Sequence, residues 1–141
     1  ARVTVLCAAA GAEADLRAHC DKARQEGLGS LRLDDTASGI GYTYKCLGAG
    51  LWALETCSPA SNESGQEFER VISAVVREAG DSDTNACVAG ALAGCRLGFS
   101  RLPAAWIAEL PHASWMEAHA QKLLGVMGLR RTHAQQRAEE R

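Results

Sequence analysis

The segment "NACVAGALAGCRLG", Asn85 to Gly98, constrains the fold more than any other part of the chain. Ala86, Gly90, Gly94 and Gly98 recur every four residues and so line one stripe of a helix. Each glycine inside a helix costs about 0.5–1 kcal/mol against alanine, and a strip without side chains admits another backbone closely. The pattern predicts a central helix pressed against a neighbour along this seam.

The rest of the sequence is organised around helices. "AEADLRAHCDKARQEG" is charged, alanine-rich and closed by Gly27, as an exposed helix with a glycine stop would be. "SGQEFERVISAVVREAG" carries Phe68, Val71, Ile72, Val75 and Val76 at helical spacing, with Ser64 and Glu67 as a capping box and Gly80 as terminator. A loop from Asp34 to Gly41 leads into an apolar helix from about Tyr42 to Thr56, and "SPASN" makes a second loop. Pro103 opens a short helix through Trp106, Ile107 and Leu110 that Pro111 ends. "ASWMEAHAQKLLGVMGL" follows as another amphipathic helix with Trp115, Met116, Leu123, Leu124 and Met127. Trp52, Trp106 and Trp115 each sit on an apolar face and are expected in the core. Period-two alternation is almost absent, so the expected fold is all-α, a compact helical bundle in one unit.

Composition narrows the function. At 141 residues, 47% hydrophobic and 23% charged, the chain has the balance of a folded domain. A net charge of −2 offers no basic surface for a phosphate backbone, so nucleic acid is not expected as a partner. No apolar run approaches the roughly 20 residues that span a bilayer, and "ARVTVLCAAA" lacks the layout of a signal peptide. The expected setting is cytoplasmic, with the nucleus as the alternative, and without a membrane partner. The six cysteines are widely spaced and are read as reduced, buried small hydrophobes. His19, His112, His119 and His133 form no zinc spacing.

Chemistry concentrates just before the glycine helix. Asp81, Asp83 and Thr84 place two carboxylates and a hydroxyl within one turn of a helix start, a donor set suited to hard cations such as Mg²⁺ or Mn²⁺. The simpler reading is that Ser82 or Asp83 caps the helix while Asp81 favours its positive end. An EF-hand loop starting at Asp81 would need glycine at Ala86 and glutamate at Leu92, and fails twice. An aspartyl-nucleophile phosphatase motif would follow a buried strand, where a helical pattern stands instead.

"GDSDTNACVAGALAGCRLG", continued to Pro103 and Trp106, closely resembles the C-terminal signature of the ADP-ribosylglycohydrolase family, G-D-x-D-T-N followed by a small-residue helix and a proline-tryptophan turn. "IGYTYKCLGAGLWAL", Ile40 to Leu54, is similar to the family's preceding Gly-Tyr helix, and both blocks stand in the family's order between about Leu33 and Leu129. The resemblance implies an all-α hydrolase that uses two Mg²⁺ or Mn²⁺ ions to release ADP-ribose from a modified protein or from a small molecule that contains it. It assigns metal binding to Asp81, Asp83 and Thr84, and places Gly41, Tyr42 and Tyr44 near the ribose-phosphate pocket. An aromatic core position reads the two tyrosines equally well.

The departures set further expectations. Family members are longer, and their first half holds an S/T-D-D-T metal segment and an acidic catalytic residue, so no catalytic residue is assigned in this chain. "LDDT" lies in the wrong place and has Leu33 where a hydroxyl is needed, so Asp34 and Asp35 are read as loop residues. The absence of an initiator methionine points the same way. Residues 1–129 are therefore expected to form the C-terminal portion of such a domain, with half the metal site and little activity alone, and 130–141 a polar tail. The alternatives are a non-catalytic binder of ADP-ribose and a structural relative of the crystallin kind.

Overall fold

The structure is a computed structural model and describes residues 10–37, 39–58 and 65–129. The expected polar tail, 130–141, lies outside the described residues, as does Ser64. Every regular element among the described residues is a helix: α1 (Ala10–Glu26), α2 (Thr43–Thr56), α3 (Gln66–Arg77), α4 (Ser82–Leu97), α5 (Ala104–Glu109) and α6 (Ala113–Val126). Two 3₁₀ turns, Leu28–Leu31 and Phe99–Arg101, join them. The fold is all-α. None of these helices is long and apolar enough to cross a membrane.

The chain divides into two compact units, the first running to Pro103 and the second starting at Ala104. In the first, α2 packs on both α1 and α4, and α4 packs in turn on α3, so the helices lie in the order α1, α2, α4, α3. Their shared core holds Leu28, Leu31, Leu33, Ala49, Ala53, Val71, Ile72, Val75, Ala89 and Ala93. The helical spacing in α3 puts Val71, Ile72 and Val75 on that core, while Val76 falls off the face and is exposed. Glu67 and Glu69 occupy the first turn of α3 and Arg77 the last, each matched to the local sign of the helix dipole.

The capping box takes another form. α3 begins after Gly65, and the Glu67 carboxylate accepts the Ser58 N–H at 3.0 Å and the Arg70 guanidinium at 2.9 and 3.0 Å. Glu67 thus ties the start of α3 to the chain leaving α2.

The close-approach seam is real but lies on the other helix. A Cβ on Gly90 would meet only ordinary contacts, 3.7 Å from Phe68 and 3.8 Å from Ile72, and one on Gly94 or Gly98 would meet nothing within 4 Å. A Cβ on Gly50 of α2 would stand 2.8 Å from Val88 Cγ1 and 3.0 Å from Leu92 Cδ1. The physical reason is that α4 projects Val88 and Leu92 toward α2, and only a residue without a side chain leaves room for them. α4 itself buries alanines, Ala89 and Ala93, in the core.

The second unit differs from expectation as well. Both helices form, but neither contains a buried residue. Trp106 and Trp115, expected in the core, are 39% and 62% exposed, and Leu123 and Met127 are exposed with them. Trp52, by contrast, packs against the core of the first unit.

Candidate metal centre

The turn between α3 and α4 is built on two consecutive left-handed residues, Ala79 (φ 59°) and Gly80 (φ 71°). A Cβ on Gly80 would fall 2.1 Å from the Leu33 carbonyl oxygen, so this turn lies directly on the backbone of the "LDDT" loop. Asp81 follows as the residue before α4. Its backbone carbonyl accepts the first helical bond from Asn85 at 3.0 Å, while its side chain makes no capping bond. The Asp81 carboxylate thus stands at the positive end of α4, as the simpler reading has it, and makes no capping bond.

That carboxylate turns to Asp83. A hydrogen bond from the Asp81 side chain, with the N–H groups of Thr84 and of Asp83 itself, holds Asp83 below the usual carboxylate range. The Thr84 N–H reaches Asp83 Oδ1 at 2.9 Å. Two neighbouring carboxylates are a donor pair for a hard cation.

The start of α2 lies against the same end of α4. A Cβ on Gly41 would be 3.9 Å from Asp81 Oδ2, and Cys46 Sγ donates to the Thr84 carbonyl at 3.6 Å. Asn85 completes the turn. It is 2% exposed, and its Nδ2 has no hydrogen-bond partner among the described residues. A buried donor left so costs about 1–3 kcal/mol unless an oxygen acceptor is supplied.

The structure thus brings together Asp81, Asp83, Thr84 and Gly41. Tyr42 and Tyr44 face α1 instead. The Tyr42 hydroxyl donates to Asp15 Oδ2, which with burial pushes its pKa up to about 12. The His19 ring lies 5.3 Å from Tyr42 and 6.1 Å from Tyr44. Sequence reasoning missed this half of the neighbourhood. The available signal was Asp15 and His19, four apart and hence on one face of α1.

Of the two loop acids, Asp35 closes its own turn: it binds Arg32 at 2.7 Å and accepts the Ala37 N–H at 2.9 Å. Among the described residues no cluster of three or more His, Cys, Asp or Glu side chains forms a complete cation site. The donors at Asp81, Asp83 and Thr84 suit a hard divalent ion in chemistry and supply one side of its coordination sphere.

An all-helical domain with a carboxylate pair at the head of its central helix is the class these observations define. The chain belongs to the ADP-ribosylglycohydrolase family, whose family model matches residues 3–133. The match reaches further back than Leu33 and takes in α1, with Asp15 and His19. No curated protein and no solved structure matches the chain. The family is one of glycosidic hydrolases.

Proposed function

We propose that this chain contributes to a metal-dependent hydrolase that releases ADP-ribose from a modified protein side chain or a related small molecule. The observation that carries the reading is the contact between the Asp81 and Asp83 carboxyls at the head of α4, with Thr84 and Gly41 beside them. Asp81, Asp83 and Thr84 would hold a pair of Mg²⁺ or Mn²⁺ ions from one side, with further ligands from a second segment. When bound, such ions supply Lewis acidity and lower the pKa of a coordinated water.

The chain's own residues do the rest. Asp81 and Asp83 present two hard anionic ligands. Gly41, without a side chain, leaves the space next to Asp81 open to a ribose. Asn85 Nδ2 donates to an oxygen held at the site, which relieves its buried, unmatched state. Tyr42 and Tyr44 form an aromatic wall whose rings are 5.4 Å apart.

The test combines Mn²⁺ binding, read by electron paramagnetic resonance, with release of ADP-ribose from arginine- and serine-linked conjugates in Mg²⁺. The expected result is Mn²⁺ binding in the wild type and its loss in Asp83→Ala, with any release following the same pattern. Mn²⁺ binding that is equal in both proteins would remove the centre from this place.

A further inference from the structure

A second chemistry-bearing feature lies away from the carboxylates. His19, Lys22, Ser30, Leu31, Arg32, Tyr42 and Lys45 line a cavity of about 240 Å³ where α1, the Leu28–Leu31 turn and α2 meet. Three of these seven residues are basic and none is acidic, in a chain where acids outnumber bases 17 to 15. We propose that this cavity is an oxyanion site that takes a phosphate or diphosphate group.

Its size suits a group rather than a whole ligand, being below the roughly 300–1,000 Å³ of a site for a drug-sized molecule. Its walls are fixed before anything binds. Lys45 is 5% exposed and donates from Nζ to the Arg32 carbonyl at 2.9 Å, which ties the turn to α2. Ser30 Oγ is anchored on the Gly27 carbonyl at 2.7 Å, and the Tyr42 hydroxyl on Asp15. The nearby acids are already engaged: Asp15 with Tyr42 and His19, Asp35 with Arg32.

Charge does the selecting. Arg32 carries five N–H donors in a planar fork, so the bond to Asp35 leaves others for a second anion. Lys22 is exposed at the rim and adds a mobile ammonium. Phosphate oxygens are the group that a lysine–arginine arrangement of this kind holds best. The proposal stands on the cavity alone and does not require the hydrolase reading. Because Tyr42 lines the cavity and directly follows Gly41, the bound group could come either from free phosphates or from the diphosphate of ADP-ribose.

The experiment is calorimetric titration at constant ionic strength, without divalent metal, using inorganic phosphate, inorganic diphosphate and ADP-ribose in turn. Wild type is compared with Lys22→Glu and with Lys122→Glu, the same charge change placed on α6. The expected result is saturable diphosphate binding that Lys22→Glu weakens by about tenfold or more, while Lys122→Glu leaves it near the wild-type value. ADP-ribose binding with the same Lys22 dependence assigns the cavity to a nucleotide diphosphate; dependence confined to the inorganic ions assigns it to a free phosphate ligand. Failure of both diphosphate and ADP-ribose to bind, or equal effects of the two variants, overturns the proposal. Loss of metal-dependent release in Asp83→Ala leaves this result untouched, so the two readings fail separately.

Discussion

Gly80 and Leu33 meet backbone to backbone. With φ at 71° and a would-be Cβ 2.1 Å from the Leu33 carbonyl oxygen, position 80 excludes every side chain twice over. This contact fixes where Asp81 begins. Gly80→Ala is expected to cost at least ~2 kcal/mol, because it adds a clash with backbone to the left-handed strain. Gly98→Ala, at φ 85° with nothing within 4 Å of its Cβ, serves as the control and should lose only about 1 kcal/mol. Urea unfolding of the two variants measures the difference; equal losses would show that the Leu33 contact is dispensable.

The seam between α2 and α4 gives a pair of opposite signs. Gly50→Ala inserts a methyl 2.8 Å from Val88 Cγ1 and should destabilise by ~1–3 kcal/mol through overpacking. Gly94→Ala meets nothing within 4 Å and should stabilise by up to ~1 kcal/mol through helix propensity. Thermal or urea denaturation decides, and a stabilised Gly50→Ala would displace the seam from α2.

Glu67 sets an acid-side prediction. The Arg70 guanidinium and the Ser58 N–H hold its carboxylate below its ordinary 4.5, against a smaller opposing effect of burial. A carboxylate depressed in the folded state stabilises fully above its unfolded value and loses that contribution as pH falls through the folded one. Stability measured against pH should therefore fall less steeply below 4.5 in Glu67→Gln than in wild type. Parallel curves would show that these bonds do not persist in solution.

The tyrosines report on α1 directly. The chain has two, and Tyr42 is pushed up to about 12 by the bond to Asp15 that favours its neutral phenol. Ultraviolet titration should resolve one late tyrosinate in wild type, and Asp15→Asn should bring it back toward 10.0. A late step that survives the substitution assigns it to something other than this bond.

Much of the fold was legible from spacing. Val71, Ile72 and Val75 declared the buried face of α3, Gly27 the end of α1, and Pro103 and Pro111 the limits of α5. The glycine stripe of α4 misled for a definite reason: spacing shows where side chains are missing but not what stands opposite. Close approach needs a large residue on the partner, and that pairing, Val88 and Leu92 into Gly50, links positions far apart in sequence. Trp106 and Trp115 failed similarly, since an apolar helical face says nothing about whether a covering surface exists. At the site, the run from Asp81 to Thr84 carried its own proximity, whereas the approach of Gly41 to Asp81 and of Tyr42 to Asp15 depends on the packing order of four helices.

The way α1 is attached has a consequence of its own. Among its described side chains Leu16 and Ala23 are the buried ones, with polar contacts, Arg24 to Glu55 and Asp15 to Tyr42, at its surface. Exposed polar contacts of that kind contribute little to stability. α2, α3 and α4, by contrast, interlock through Ala49, Ala53, Val71, Val75, Ala89 and Ala93, all closed to solvent. The molecule therefore has two tiers of persistence. Amide protons of α1 should exchange by a shallow opening that leaves the other three helices shut. Each such opening dismantles the basic cavity and frees Tyr42, yet keeps Asp81, Asp83 and Gly41 in register, so one face can come and go while the other endures.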